Sequence, residues 1–444
     1  MTSTRPTIER LSGGDLLELR TDVGPAPKNM GALLVLDDVD VPAMAATLSR
    51  RLAAIPRLRD RLVTPPWWLG RPYWLADPTF DVAAHVSHVR CPAPADHDAL
   101  LDVAATALTR PLPRDRPMWR AVLVSGLPGG AVGVVLVMHH VLADGVGGLA
   151  LLAALGERDV AAPQPTVPAR VPTRRALLTD NVARVVRATA ALPGAWARVR
   201  RGRAELGARR RVPAAPRCSL NAPTGARRRL VTVDADLGAV RAAARRHGGT
   251  VNDLLLVAVT AAMDTTLRAR GEDVAALTVS VPVSARRPAS AADRTRAGQL
   301  GNQVGVMPVR VPLGGHLPQR LARVAQITRA RRNDDRGASA GLVGPVFRLL
   351  VATGTFRWFI DHQRLVNTFL TNVRGPSDAI TVAGAHVREV VPLVSTPGNT
   401  AVTFAALSSA GRLVVTVIAD PDVLADPAAL AAGVAEALRD LIQH

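Results

Sequence analysis

Between Ala131 and Met138 nearly every residue is apolar: Ala-Val-Gly-Val-Val-Leu-Val-Met. A strand with one wet face alternates apolar and polar side chains, so a short unbroken run of this kind belongs to a strand covered on both faces. The chain must therefore supply layers on each side of a sheet. Its neighbours offer them: an apolar run from Gly31 to Leu36, helical spacing over Pro42–Leu52 and Leu100–Leu108, and a further strand over Ala121–Val124. Prolines at 163, 165, 168 and 172 then mark a linker. A second unit opens with a strand over Leu230–Val233 and a helix over Asp236–Arg246, closed by Gly248-Gly249. A long apolar helix over Val251–Arg268 and a strand over Leu277–Val283 follow. At 444 residues the chain exceeds one ordinary core. The expected fold is α/β (α+β), divided at 1–165, 166–228 and 229–444, with the middle piece a helical, Arg-rich crossover.

Several classes fall away on composition. Cys91 and Cys218 are the two cysteines, and their separation fits neither a metal nor a redox motif. Residues Met1 to Arg10 lack the apolar stretch of a signal peptide, and the longest apolar segment, Gly344–Ile360, is interrupted by Arg348 and Arg357. A cytoplasmic protein, soluble or peripheral on the inner face of the membrane, is expected. The net charge is +19, and Lys28 is the only lysine. Residues 169–213 hold twelve arginines against Asp180 and Glu205, a local net of +10. Concentrated charge points to a polyanion. Nucleic acid fits poorly, because no recognition motif is present and aromatics make up 3 % of the chain. An anionic membrane or lipid-droplet surface fits better, with Leu178, Val182, Val185, Thr189 and Leu192 as the apolar stripe of a basic helix. The competing reading packs that stripe on the protein's own surface.

The chemistry sits where the buried run ends, at Met138-His139-His140-Val141-Leu142-Ala143-Asp144-Gly145. A strand terminus lets side chains leave the core and face a cleft. Histidine accepts and returns a proton near neutrality, which suits a general base. Asp144 lies four residues beyond His140, where it can fix the turn, and Gly145 permits backbone angles other residues resist. A buried histidine pair satisfied by carbonyls is the structural alternative. A metal held by His140 and Asp144 lacks a third ligand at local spacing, so no metal is expected.

His-His-Val-Leu-Ala-Asp-Gly fits the HHxxxDG signature. Arg116-Pro117-Met118-Trp119, Asn252-Asp253, Ser280 to Arg286, Gly301-Asn302 through Met307-Pro308, Thr371-Asn372-Val373-Arg374-Gly375-Pro376 and Ala410-Gly411-Arg412-Leu413 follow in order. The ordered set resembles the bacterial wax ester synthase/diacylglycerol acyltransferase family of the chloramphenicol-acetyltransferase-like superfamily. The resemblance implies two related domains with a tunnel between them, no bound cofactor, and acyl-CoA as co-substrate. It implies that His140 takes the proton of a hydrophobic alcohol, a fatty alcohol or diacylglycerol, as that alcohol attacks the thioester. His139 would support its neighbour, and Asp144 would pair with Arg286. Asn252 would lie near the transfer centre, with Asp253 and Gly145 in support. Pro117, Trp119, Gly301, Asn302 and Asn372 are the candidate substrate contacts. Each has a plainer reading: Trp119 as a core aromatic, Asn252-Asp253 as a helix cap, Gly301-Asn302 as a turn.

Some positions depart from the family pattern. Arg120 replaces an acidic residue after the tryptophan, "PLD" reads Pro111-Leu112-Pro113, Arg374 replaces a proline, and the early "DxxF" reads Asp15-Leu16-Leu17-Glu18 without its aromatic. A specialised-metabolite or polyketide-associated acyltransferase is therefore an alternative. So is a non-catalytic homologue that binds a lipid surface or a partner, although it would have no need of His140, Asp144 and Arg286.

Overall fold

The computed structural model describes residues 8–37, 39–142, 148, 151, 155–156, 171–190, 214–284, 304–334, 346–382, 384–395 and 398–444. The buried run becomes β6 (Val132–His139), every residue of which is buried. It pairs antiparallel with β1 (Asn29–Leu36) on one side and β5 (Trp119–Ser125) on the other. β4 (Val86–Arg90) lies parallel to β5 at one edge. The other edge comes from far along the chain: β12 (Ala385–Val394) pairs antiparallel with β1, and the short β11 (Thr381–Val382) pairs with β12. The first sheet is thus completed by residues 381–394, from beyond the expected division at 229.

The two layers implied by the apolar run are helical. Even-numbered residues of β6 (Val134, Leu136, Met138) pack with Met44, Leu48 and Leu52 of α2 (Val41–Ala54). Odd-numbered residues (Val135, Val137) pack with Leu100, Leu101, Ala104 and Leu108 of α3 (His97–Thr109). Both helices start at an aspartate, Asp40 and Asp96, whose carboxylate accepts an otherwise unpaired main-chain N–H of the first turn. Helix α3 also touches Leu230, Ala405 and Ile418 of the second sheet, so one helix is the layer between the two sheets. The second sheet runs β7 (Arg229–Asp236), β14 (Arg412–Ala419), β13 (Val402–Ser409), β10 (Thr368–Arg374), β8 (Ala276–Ser284), β9 (Val304–Pro312).

The N-terminal helix α1 (Gly13–Arg20) and the hairpin of β2 (Asp60–Val63) with β3 (Tyr73–Ala76) lie outside these layers, as does α4 (Arg174–Ala190). Helix α5 (Leu237–Arg246) ends as its sequence requires, with Gly248 at φ +66° and Gly249 N–H closing on Ala244 O. The apolar stretch after it is α6 (Val251–Ala269), which backs the second sheet beside α7 (Leu317–Asp334) and α9 (Pro427–Gln443). Helix α8 (Phe356–Asp361) is short and peripheral. No single described helix is long and apolar enough to cross a membrane.

The approach of β1 to β6 tolerates no side chain at Gly31, where a Cβ would stand 2.0 Å from the Leu136 carbonyl oxygen. Backbone on a central strand cannot move aside as a flexible side chain does. Gly31→Ala is expected to lower unfolding free energy by about 1–3 kcal/mol or more, the range for overpacking a core. Urea denaturation followed by circular dichroism measures the change.

Candidate active site

The β1–β6 register sets Asn29 opposite His139. Asn29 is buried, and its amide donates to the carbonyls of Leu108 and Arg110, closing the C-terminal end of α3. One residue earlier, the Lys28 carbonyl accepts the main-chain N–H of His140 at 3.0 Å. Both histidines therefore leave β6 against the loop that precedes β1.

His139 is buried, and its contacts define its tautomer. Nδ1 accepts the N–H of Val141 at 3.0 Å, so the ring proton sits on Nε2 and points at Asp22 Oδ2, 3.3 Å away. Its main chain donates to Met118 O and accepts from Leu142 N–H. With both ring nitrogens engaged, His139 holds the turn. His140 is half-buried and directly follows it.

A set of charged groups surrounds the pair that motif reading did not single out. Asp22 accepts the N–H of Lys28 on Oδ1 at 2.8 Å and the guanidinium of Arg114 on Oδ2 at 2.9 Å, besides His139. Burial alone would raise its pKa; the hydrogen bonds from His139 and Lys28, with the charge of Arg114, outweigh that and hold it at about 2. The chain's only lysine completes the set. Lys28 Nζ donates to Thr21 Oγ1 at 2.6 Å and Glu18 Oε2 at 3.0 Å. Burial opposes ionisation of Glu18, yet Lys28, then His140 and His139, keep its carboxyl below the usual range. Glu18 occupies the position where the family pattern has an aromatic. An uncommon residue type in an arginine-rich chain, together with a carboxylate in an apolar motif, was the signal available in the sequence.

The remaining candidates separate into scaffold and untested positions. Asp253 is a capping residue: Oδ2 accepts from Thr250 N–H and hydroxyl, and Oδ1 accepts the Thr328 hydroxyl, tying α7 to α6. Asn252 is half-buried in the first turn of α6, and Asn372 is half-buried in β10; both belong to the second sheet's layer. Pro117 and Trp119, expected as substrate contacts, are both buried. The Trp119 ring, 1 % exposed, stacks on His85 at 4.5 Å and donates Nε1–H to Leu58 O at 2.7 Å. Its one donor is therefore engaged within the fold. The Arg120 guanidinium donates to the Pro111 carbonyl, joining the start of β5 to the loop after α3. Asp144, Gly145, Arg286, Gly301 and Asn302 lie outside the described residues.

Folding depresses Asp22 below the 3.8 of a free carboxyl, so its contribution to stability is complete above about pH 4 and lost as pH falls toward 2. Asp22→Asn is expected to lower stability at neutral pH by on the order of 2 kcal/mol and to flatten the acid limb of the stability profile. Denaturant titrations at stepped pH read both effects.

Comparison with known proteins follows the same lines. Residues 11–255 match the wax ester synthase/diacylglycerol acyltransferase catalytic domain, and residues 300–442 match the C-terminal domain of that family. A probable diacylglycerol O-acyltransferase of Mycobacterium tuberculosis, tgs1, is 30 % identical over 428 residues, spanning 93 % of this chain and 91 % of that protein. A second M. tuberculosis protein, a putative diacylglycerol O-acyltransferase, is 28 % identical over 473 residues, spanning 98 % and 90 %. The solved wax ester synthase/diacylglycerol acyltransferase of Marinobacter aquaeolei VT8 superposes with a TM-score of 0.70 at 20 % identity, over 97 % of this chain and 98 % of that one. The starter condensation domain of rhizomide synthetase, solved with C8-CoA, shares the fold at a TM-score of 0.61 and 17 % identity, over 98 % and 94 %. The matches cover both halves of the molecule, and the chain belongs to the wax ester synthase/diacylglycerol acyltransferase family.

Proposed function

We propose that this enzyme transfers an acyl group from acyl-CoA to the hydroxyl of a hydrophobic alcohol, a fatty alcohol or diacylglycerol, with His140 as general base. The observation that carries the reading is the placement of His140. It leaves the end of a fully buried strand, half-exposed, its main chain fixed by Lys28 and its neighbour His139 locked by Asp22. His140 accepts the hydroxyl proton as the alcohol oxygen bonds to the thioester carbon. Collapse of the tetrahedral intermediate breaks the carbon–sulfur bond, and the proton passes from His140 to the departing CoA thiolate. No acyl-enzyme is needed, and burial pushes the Cys218 thiol up, away from a nucleophile's range. In the family pattern the remaining roles fall to Asp144 with Arg286, holding the motif turn, and to Asn252 near the reacting carbonyl.

The Glu18–Lys28 pair gives this chain its own version of the site. As His140 gains a proton in the transition state, the neighbouring carboxylate stabilises the new charge, while Lys28 holds that carboxylate in place.

Purified protein incubated with a panel of acyl-CoAs and alcohols, with free thiol as the readout, tests the activity. His140→Ala is expected to lower turnover roughly a hundred-fold or more while the protein stays folded; normal turnover by a folded variant removes His140 from the chemistry. Glu18→Gln is expected to lower kcat by about tenfold with KM for acyl-CoA unchanged, and Glu18→Asp to recover part of that loss. A change confined to KM, or to thermal stability, makes Glu18 a scaffold residue.

A further inference from the structure

Helix α4 does not pack by its apolar stripe. Leu177 enters a small core with Leu69, Tyr73 and Leu75, Asp180 pairs with Arg10, and Asn181 donates to the Trp68 carbonyl. These residues, with Arg184, form the inward face. The stripe lies on the opposite side: Leu178 is 46 % exposed, Val182 53 % and Val185 48 %. The neighbouring turn before β3 presents Trp67, 85 % exposed, and Trp68, packed edge to face against it. Large apolar side chains so placed raise the free energy of a protein surrounded only by water.

Beside this apolar face stands a group of arginines. Arg20, Arg71 and Arg348 line a pocket with Leu16, Leu17 and Val351, and Arg184, on the inward face of α4, is near enough for its charge to act on Arg71. Burial, then the nearby guanidiniums of Arg184, Arg348 and Arg20, holds the pKa of Arg71 below that of an ordinary arginine. Arg184 Nε is buried with no hydrogen-bond acceptor, and its Nη2 is matched by the neutral Asn181. Among the described residues these four like charges have no carboxylate partner, and an exposed aromatic and aliphatic face adjoins them.

We propose that this face, built from Trp67, Trp68, the outer side of α4 and the Arg20–Arg71–Arg184–Arg348 cluster, docks on an anionic phospholipid surface. Tryptophan and branched aliphatic side chains enter the boundary between headgroups and acyl chains, and the guanidiniums meet the phosphates. A soluble anion would satisfy the arginines and leave the tryptophans and α4 in water, and a neutral apolar partner would do the reverse. A charged membrane satisfies both. The opposite side of α1 carries Glu18, so the docked surface lies one helix away from the catalytic cluster.

Sedimentation of the full-length protein with vesicles tests the proposal independently of turnover. Phosphatidylcholine vesicles with about 30 mol % phosphatidylglycerol are expected to carry the protein down, with partition falling at least about tenfold as salt rises from about 0.05 to 0.5 M. Vesicles of phosphatidylcholine alone are expected to carry little. Trp67→Ser with Trp68→Ser, and Leu178→Gln with Val182→Gln, are expected to lose about nine-tenths of the binding while circular dichroism and thermal midpoint stay as in the wild type. Arg71→Gln with Arg348→Gln is expected to remove the salt-sensitive part. Any of three results overturns the proposal: wild-type protein left in the supernatant at low salt, folded apolar variants that bind like the wild type, or inorganic phosphate near 10 mM displacing the protein as fully as roughly 0.5 M salt does. A dimer in solution dispersed by the same apolar substitutions also overturns it, assigning the face to a second copy.

Discussion

A single main-chain hydrogen bond, from the N–H of His140 to the carbonyl of Lys28, fixes the histidine end of β6. It lies just beyond the last ladder pair of β1 and β6, so its geometry inherits the rigidity of two central strands. Everything polar nearby follows from it. The peptide that offers its carbonyl to His140 belongs to the residue whose N–H holds Asp22 and whose ammonium holds Glu18. Asp22 in turn sets the tautomer of His139. The histidine motif and the loop ahead of β1 form one unit, although more than a hundred residues separate them in the chain.

Much of this architecture was legible in sequence because it rests on local periodicity. The unbroken apolar run could only become a doubly covered strand, and it became β6. The helix expected over Asp236–Arg246 stops at Gly248-Gly249, and the apolar helix after it starts at the Thr250–Asp253 capping box. The histidines fell at the strand end for the same reason. Sheet order was not legible. That β12 lies beside β1 depends on which edges meet after collapse, and no spacing in the chain encodes it. Glu18, Asp22 and Lys28 were not legible as a site because only the fold brings the end of α1 and the loop ahead of β1 against the end of β6. Trp119 shows what a motif match leaves open: its ring stacks on His85 and its N–H is bound by the Leu58 carbonyl, contacts that no spacing announces.

Helix α4 shows what periodicity leaves open. A stripe of Leu178, Val182 and Val185 states that one side of a helix is apolar, and nothing in the spacing says whether protein or solvent meets it. The polar neighbours decide. Asp180 is bound to Arg10 and Asn181 to the Trp68 carbonyl, and these contacts turn the stripe outward. Specific hydrogen bonds overrule the ordinary preference to bury the more apolar side, which marks the exposed face as a feature of the fold.

The late arrival of β12 bears on how the protein is made. Until residues 385–394 emerge from the ribosome, β1 has an open edge of Leu33, Leu34 and Val35 with no partner on that side. Such an edge is a template for pairing with other nascent chains. The first half of the molecule can collect its helices during synthesis and still cannot close its sheet. Completion waits for β12, so the open edge of β1 needs protection from aggregation throughout the synthesis of everything between them.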